Sequence, residues 1–130
     1  MSYNLFLDDE RKPLQVNWIE LPLVNWTIVK NYDQFVQTIC AMGMPRRVSF
    51  DHDLAEEHYR KSMYAGDKHY NNYYTDGTFK EKTGLACAQW LVKYCQDRGE
   101  SFPEYYVHTM NPIGKENIIS YIESYKRSLT

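Results

Sequence analysis

Two short apolar stretches, Leu5-Phe6-Leu7 and Val48-Ser49-Phe50, break without a turn into charge. The first runs into Asp8, Asp9 and Glu10, the second into Asp51, His52 and Asp53. Neither stretch alternates apolar with charged residues, so neither suits a strand with one wet face. Both suit inner strands of a parallel sheet covered on each side. This requirement governs the reading of the rest of the chain.

Between and after these stretches the pattern switches to helical spacing. Asn31 and Gln34 form an N-x-x-Q start, followed by Tyr32, Phe35, Val36, Ile39 and Cys40 on one side, and Gly43 and Pro45 end that helix. Thr83 caps a second helix with Leu85, Ala88, Leu91, Val92 and Cys95 on its apolar side, stopped near Gly99. Asn111 followed by Pro112 starts a third, with Ile118, Ile122, Tyr125 and Leu129 as its stripe. Strands are expected at Tyr3 to Leu7, in "WTIVKN", in "RVSF" and in "EYYVHT". The segment "PLQVNWIELPLVNW", with Pro13 and Pro22, reads as an irregular wrap packed by Trp18 and Trp26 in place of a first helix.

Strands that alternate with helices predict an α/β fold. Here it is a small, doubly wound, mostly parallel four-stranded sheet of order 2-1-3-4, in one domain over residues 1–130. In such sheets ligands bind beyond the carboxyl ends of the strands where the winding reverses, here between the first and third strands. Residues 55–82 form an insertion after the third strand. It holds Tyr59, Tyr64, Tyr70, Tyr73, Tyr74, Phe79, His58 and His69, with five Lys/Arg against five Asp/Glu. Hung from that strand end, it is positioned to act as a lid that stacks a base, or to be a surface excursion packed by its own tyrosines.

Composition narrows the function classes. A net charge of −2 leaves no footprint for duplex nucleic acid or an anionic membrane. Cys40, Cys87 and Cys95 show no C-x-x-C spacing, and the odd number argues for buried free thiols in a reducing compartment. No apolar run has membrane-spanning length, so a cytoplasmic protein is expected.

The predicted topology puts Asp8 and Asp9 beside Asp51, His52 and Asp53. A lone carboxylate past a strand end is ordinarily a turn or cap residue. Several together repel and need protons or a cation, and oxygen donors favour a hard divalent ion, Mg²⁺ first. Asp8, Asp9 and Asp51 are the expected metal ligands, Asp51 alternatively a nucleophile. Period two puts Asp53 on the side of Asp51 as an accessory, with His52 opposite. His108 ends the fourth strand, and His52 or His108 is the candidate for proton transfer. Arg11, Asn111, Gly114 and Lys115 are candidate phosphate contacts.

The elements "LFLDDERKP", "VSFDHDL", "TGLACAQWLV" and "VHTMNPIGKENIISYI" resemble, in order, the cyclic-phosphate processing receiver-like domain of bacteria and their phages. That family is a divergent relative of response-regulator receivers. The resemblance implies that Asp8 and Asp9 stand at the receiver acidic pair and Asp51 at the phospho-acceptor position. It implies a small nucleotide bearing a cyclic phosphate as ligand, of the kind left by RNA repair or made in defence signalling. Two receiver features are missing, a fifth strand bearing a lysine and a regular first helix, and "HTMNPIG" stands where the switch hydroxyl belongs, with Thr109 as its nearest substitute. A metal-dependent phosphoesterase is therefore the leading expectation. A non-catalytic nucleotide sponge of phage type and a receiver-like interaction domain are the alternatives. The D-x-D logic of haloacid dehalogenases ranks last, because it requires the motif after the first strand.

Overall fold

A computed structural model describes residues 2–54 and 83–129. The insertion expected as a lid, and with it the tyrosines on which a binding-only reading leans, lies outside the described residues.

Four strands form one parallel sheet in the order β2-β1-β3-β4, as the sequence predicts. They are β1 (Asn4–Leu7), β2 (Thr27–Val29), β3 (Arg47–Phe50) and β4 (Glu104–Val107). Among the described residues three helices follow β2, β3 and β4 respectively: α1 (Tyr32–Met42), α2 (Gly84–Arg98) and α3 (Pro112–Ser128). The connection from β1 to β2 is irregular apart from a single 3-10 turn at Pro13–Gln15.

The expected caps are present. Asn31 Oδ1 accepts the Gln34 N–H at 2.8 Å, but the Gln34 amide oxygen reaches one residue further back than in a capping box, to the Lys30 N–H at 2.9 Å. Thr83 Oγ1 accepts the Ala86 N–H, and Asn111 Oδ1 accepts the Gly114 N–H at 2.9 Å. Each satisfies one of the amides that a helix start leaves without an internal partner. Gly99 closes α2 in the left-handed region, φ 65°, which a side chain would resist.

Alternation along the strands divides the sheet into two faces. Leu5, Leu7, Val48, Phe50 and Val107 share a core with Phe35 and Ile39 of α1, with Leu91 and Cys95 of α2, and with Ile118 and Ile122 of α3. All three helices therefore pack on that face. The other face carries Phe6 and Ser49, both fully buried. There the irregular connection replaces a helix, with Trp26 edge-on to Phe6 at 6.0 Å between centroids.

Two sequence expectations fail at the margins of this core. Leu129 is 55 % exposed, because α3 stops at Ser128 and the stripe ends with Tyr125. Cys40 is exposed, whereas Cys87 and Cys95 are buried free thiols. α1 buries only Phe35 and Ile39, and Cys40, one residue past Ile39, is rotated off that line.

Candidate metal centre and its rim

The register sets the site. Leu7, Phe50 and Val107 are aligned partners at the ends of three adjacent strands. Asp8, Asp51 and His108 are each the next residue, and their backbone N–H groups continue the ladder to Val29, Leu7 and Phe50 carbonyls at 3.0, 3.0 and 2.9 Å. By alternation all three share the face of Phe6 and Ser49, opposite the helices. Their exposures are 1 %, 5 % and 0 %.

Asp8 is the most fully bonded of the three. Its Oδ1 accepts the backbone N–H of Glu10 and Arg11 at 2.9 and 2.8 Å, and its Oδ2 pairs with His108 Nε2 at 3.0 Å. Burial works against its charge, but the His108 and backbone bonds outweigh it, so its pKa lies below the usual carboxylate value. An ionised Asp8 requires the proton on Nε2 of His108. Nδ1 of that ring, 2.7 Å from Ser49 Oγ, is then the acceptor. Burial holds His108 neutral against the pull of Asp8, with the Arg11 charge acting in the same direction as burial. The imidazole also stacks on Phe6, centroids 4.4 Å apart. With both nitrogens committed, His108 orders Asp8.

Asp51 is the uncomfortable member. Burial, then the neighbouring Asp8 charge, push its pKa up to about 7; the His52 N–H, the Thr109 hydroxyl and the Arg11 charge oppose this without prevailing. Asp8, Asp51 and His108 each bring a donor atom within 4.8 Å of the others, and with the His108 nitrogens spent on Asp8 and Ser49 the two carboxylates are the groups that could hold a metal ion. The chemistry of the donors fits a hard divalent cation: two carboxylates repel in a dry notch, and each retains lone pairs. Among the described residues the converging set takes His108 where the sequence pointed to Asp9, which is half-buried two residues beyond the strand end.

A second cluster forms the rim. His52 Nδ1 meets Asp53 Oδ1 at 2.9 Å, and Asp53 Oδ2 accepts the Asn111 side-chain amide at 3.1 Å. Asp53 is thus joined to His52 and α3 and does not accompany Asp51. The period-two expectation fails here because β3 ends at Phe50 and the chain bends over residues 51–53. Nδ1–H donating to Asp53 leaves Nε2 of His52 as the nitrogen without a partner among the described residues.

Both helix starts are pressed against this bend. The Gly84 N–H donates to the His52 carbonyl at 2.7 Å, and a Cβ added at Gly84 would stand 1.6 Å from the Asp51 carbonyl oxygen. A Cβ on Gly114 would stand 2.3 Å from His52 Cγ. Gly114 therefore supplies room for the imidazole, and its own N–H goes to Asn111. Lys115, the next residue, is half-buried on the first turn of α3.

Arg11 completes the rim. Its backbone caps Asp8, its Cζ lies 5.1 Å from the Trp18 ring centroid, and its Nη2 donates to Met110 Sδ at 3.6 Å. Sequence reasoning assigned Trp18 to packing alone. It also donates its indole N–H to the His108 carbonyl at 2.7 Å. Its position ten residues past Asp8, in a wrap without periodicity, gave no signal of that. Thr109, noted for the switch-hydroxyl position, is buried with its hydroxyl on Asp51, and it accepts the Asn111 N–H at 3.2 Å.

A parallel 2-1-3-4 sheet with an acidic notch at the ends of its first and third strands defines a receiver-like domain. The family model described as the cyclic-phosphate processing receiver domain matches residues 3–124, and the chain belongs to that family. No curated protein and no solved structure matches it. Among the described residues no helix is long and apolar enough to cross a membrane.

Proposed function

We propose that the chain is a metal-assisted phosphoesterase that hydrolyses the cyclic phosphate of a small nucleotide. The observation that carries this reading is the pair of buried carboxylates on flush strand ends, with Asp51 pushed up to about 7 by burial and by the Asp8 charge. The family's association with cyclic-phosphate processing supplies the substrate class.

Asp8 and Asp51 hold the cation, Mg²⁺ by donor type, which when bound neutralises them and polarises a phosphoryl oxygen. His108 and Ser49 fix the orientation of Asp8. Arg11 grips the non-bridging oxygens, a task suited to a planar guanidinium fork. Lys115 adds charge from the first turn of α3. His52, aligned by Asp53 and Asn111 and seated over Gly114, takes a proton on Nε2 from the attacking water. The bond between water oxygen and phosphorus forms, one ring P–O bond breaks, and the released sugar oxygen takes up the proton. His108 has no free nitrogen for that duty, which separates the two histidines.

The test is turnover of 2′,3′- and 3′,5′-cyclic mononucleotides with Mg²⁺. Wild type is expected to release a monoester, EDTA to stop it, and Asp51→Asn and His52→Gln each to reduce kcat at least about a hundredfold. Full activity of Asp51→Asn overturns the reading.

A further inference from the structure

Arg11 stands beside two buried carboxylates, yet none of its guanidinium bonds among the described residues goes to a carboxylate. Asp8 takes the backbone N–H of Arg11. The side chain lies on the Trp18 ring and reaches Met110 sulfur. Both partners are soft. A π face attracts the cation without using an N–H donor, and a thioether is a weak acceptor. Among the described residues most of the donor edge therefore stays open. Trp18 is itself pinned, since its N–H bond to the His108 carbonyl fixes the ring to the end of β4, next to the buried row. Trp18 and Met110 are 36 % and 62 % exposed, so the clamp sits at the surface above a dry notch.

We infer that Trp18 and Met110 are positioning residues that hold Arg11 as an open two-pronged arm for an anion at the edge of the notch. The inference rests on the phosphate reading above and sharpens it. A guanidinium with one face covered and its fork free matches a group presenting two unesterified oxygens, as a cyclic phosphodiester does. Had Arg11 paired with Asp51 or Asp53, a ligand would have to break a charged bond. The indole and the thioether orient the arm and leave its donors unfilled.

The experiment follows the Arg11 Nε–Hε resonance by NMR, together with calorimetric titration of Mg²⁺ alone, inorganic phosphate, and a 2′,3′-cyclic mononucleotide with Mg²⁺. In wild type the Arg11 signal is expected to be ordered and displaced by the indole ring current. Trp18→Ala is expected to abolish both properties, and to weaken the nucleotide about fivefold while Mg²⁺ affinity is unchanged. In turnover the same variant raises KM more than it lowers kcat. Met110→Leu, which keeps the bulk, is expected to loosen the signal less. An Arg11 signal indifferent to Trp18→Ala overturns the inference, and so does a loss of Mg²⁺ affinity equal to the loss of nucleotide affinity. If phosphate moves the Arg11 signal and no cyclic nucleotide does, the clamp stands and the nucleotide reading falls.

Discussion

Asp51 and Asp53 are two residues apart and are held in different ways. Asp51 stands in a row with Asp8 and His108, each set by the backbone ladder of an adjacent strand. Asp53 belongs to a rim assembled by side chains: His52 and Asn111, and then Arg11 with Trp18 and Met110. The row is dry and its geometry follows from strand register. The rim is partly wet, and its geometry depends on a few contacts between residues far apart in sequence. The difference teaches that one site can combine a part fixed by the sheet with a part adjustable by substitution. A change in the row is expected to alter the stability of the fold, at Asp51 together with turnover, and a change in the rim to alter turnover with little effect on stability.

The strongest test of that division is His108→Ala. It removes a stacked ring and leaves Asp8 Oδ2 and the Ser49 hydroxyl without their partner in a dry site, at a cost of about 4 kcal/mol in denaturant unfolding. A loss below about 1 kcal/mol would place His108 with the rim. Gly84→Ala comes next. Its Cβ meets backbone at Asp51, not a movable side chain, so α2 has to shift, at about 3 kcal/mol by the same measurement.

Asp51→Asn goes the other way. The folded-state pKa of Asp51 is raised from 3.8 to about 7, so the stability tied to its protonated form is complete below about pH 4. That stability is lost as pH rises through about 7. Without a cation, Asp51→Asn is therefore expected to be more stable than wild type at pH 8, by a margin on the order of 3 kcal/mol that closes toward pH 4. Saturating Mg²⁺ shrinks the gap at pH 8. A margin that does not change with pH would mean the notch tolerates the charge unaided.

The smallest effect on stability, and a large one on turnover, belongs to Gly114→Ala. His52 can swing away from the added methyl, so unfolding free energy falls by about 1 kcal/mol. The swing takes Nε2 out of line, and kcat is expected to drop about tenfold or more, measured with a cyclic mononucleotide. Equal damage to stability and turnover would erase the distinction between row and rim.

The row was largely legible in the sequence; of the rim, Arg11, His52, Asp53 and Asn111 were named, and their pairings were not. Short uncharged triplets announced inner parallel strands, the alternation with capped helices pointed to a doubly wound sheet, and taking its order as 2-1-3-4 placed Asp8 beside Asp51. His108 entered the row by the same logic, as the residue following Val107 in register with Leu7 and Phe50. The pairings escaped because strand periodicity ends where the strand ends. Past Phe50 nothing in the pattern says that Asp53 turns toward Asn111, 58 residues away. Gly114 looked like an anion-binding glycine, and the missing Cβ proved to make space for His52. Trp18 sits in a segment without period, so its bond to the His108 carbonyl had no sequence signature.

The ladder bonds of Asp8, Asp51 and His108 carry a consequence for anyone using deuterium exchange on this molecule. Amides at a ligand site ordinarily exchange early and report local opening. These three are buried amides donating to the carbonyls of adjacent strands, so they are expected to exchange among the slowest, released only when the whole sheet comes apart. Protection gained there on adding a ligand measures the global free energy of binding, while the Glu10 and Arg11 amides, bonded only to a side chain, are the ones that time the opening of the pocket itself.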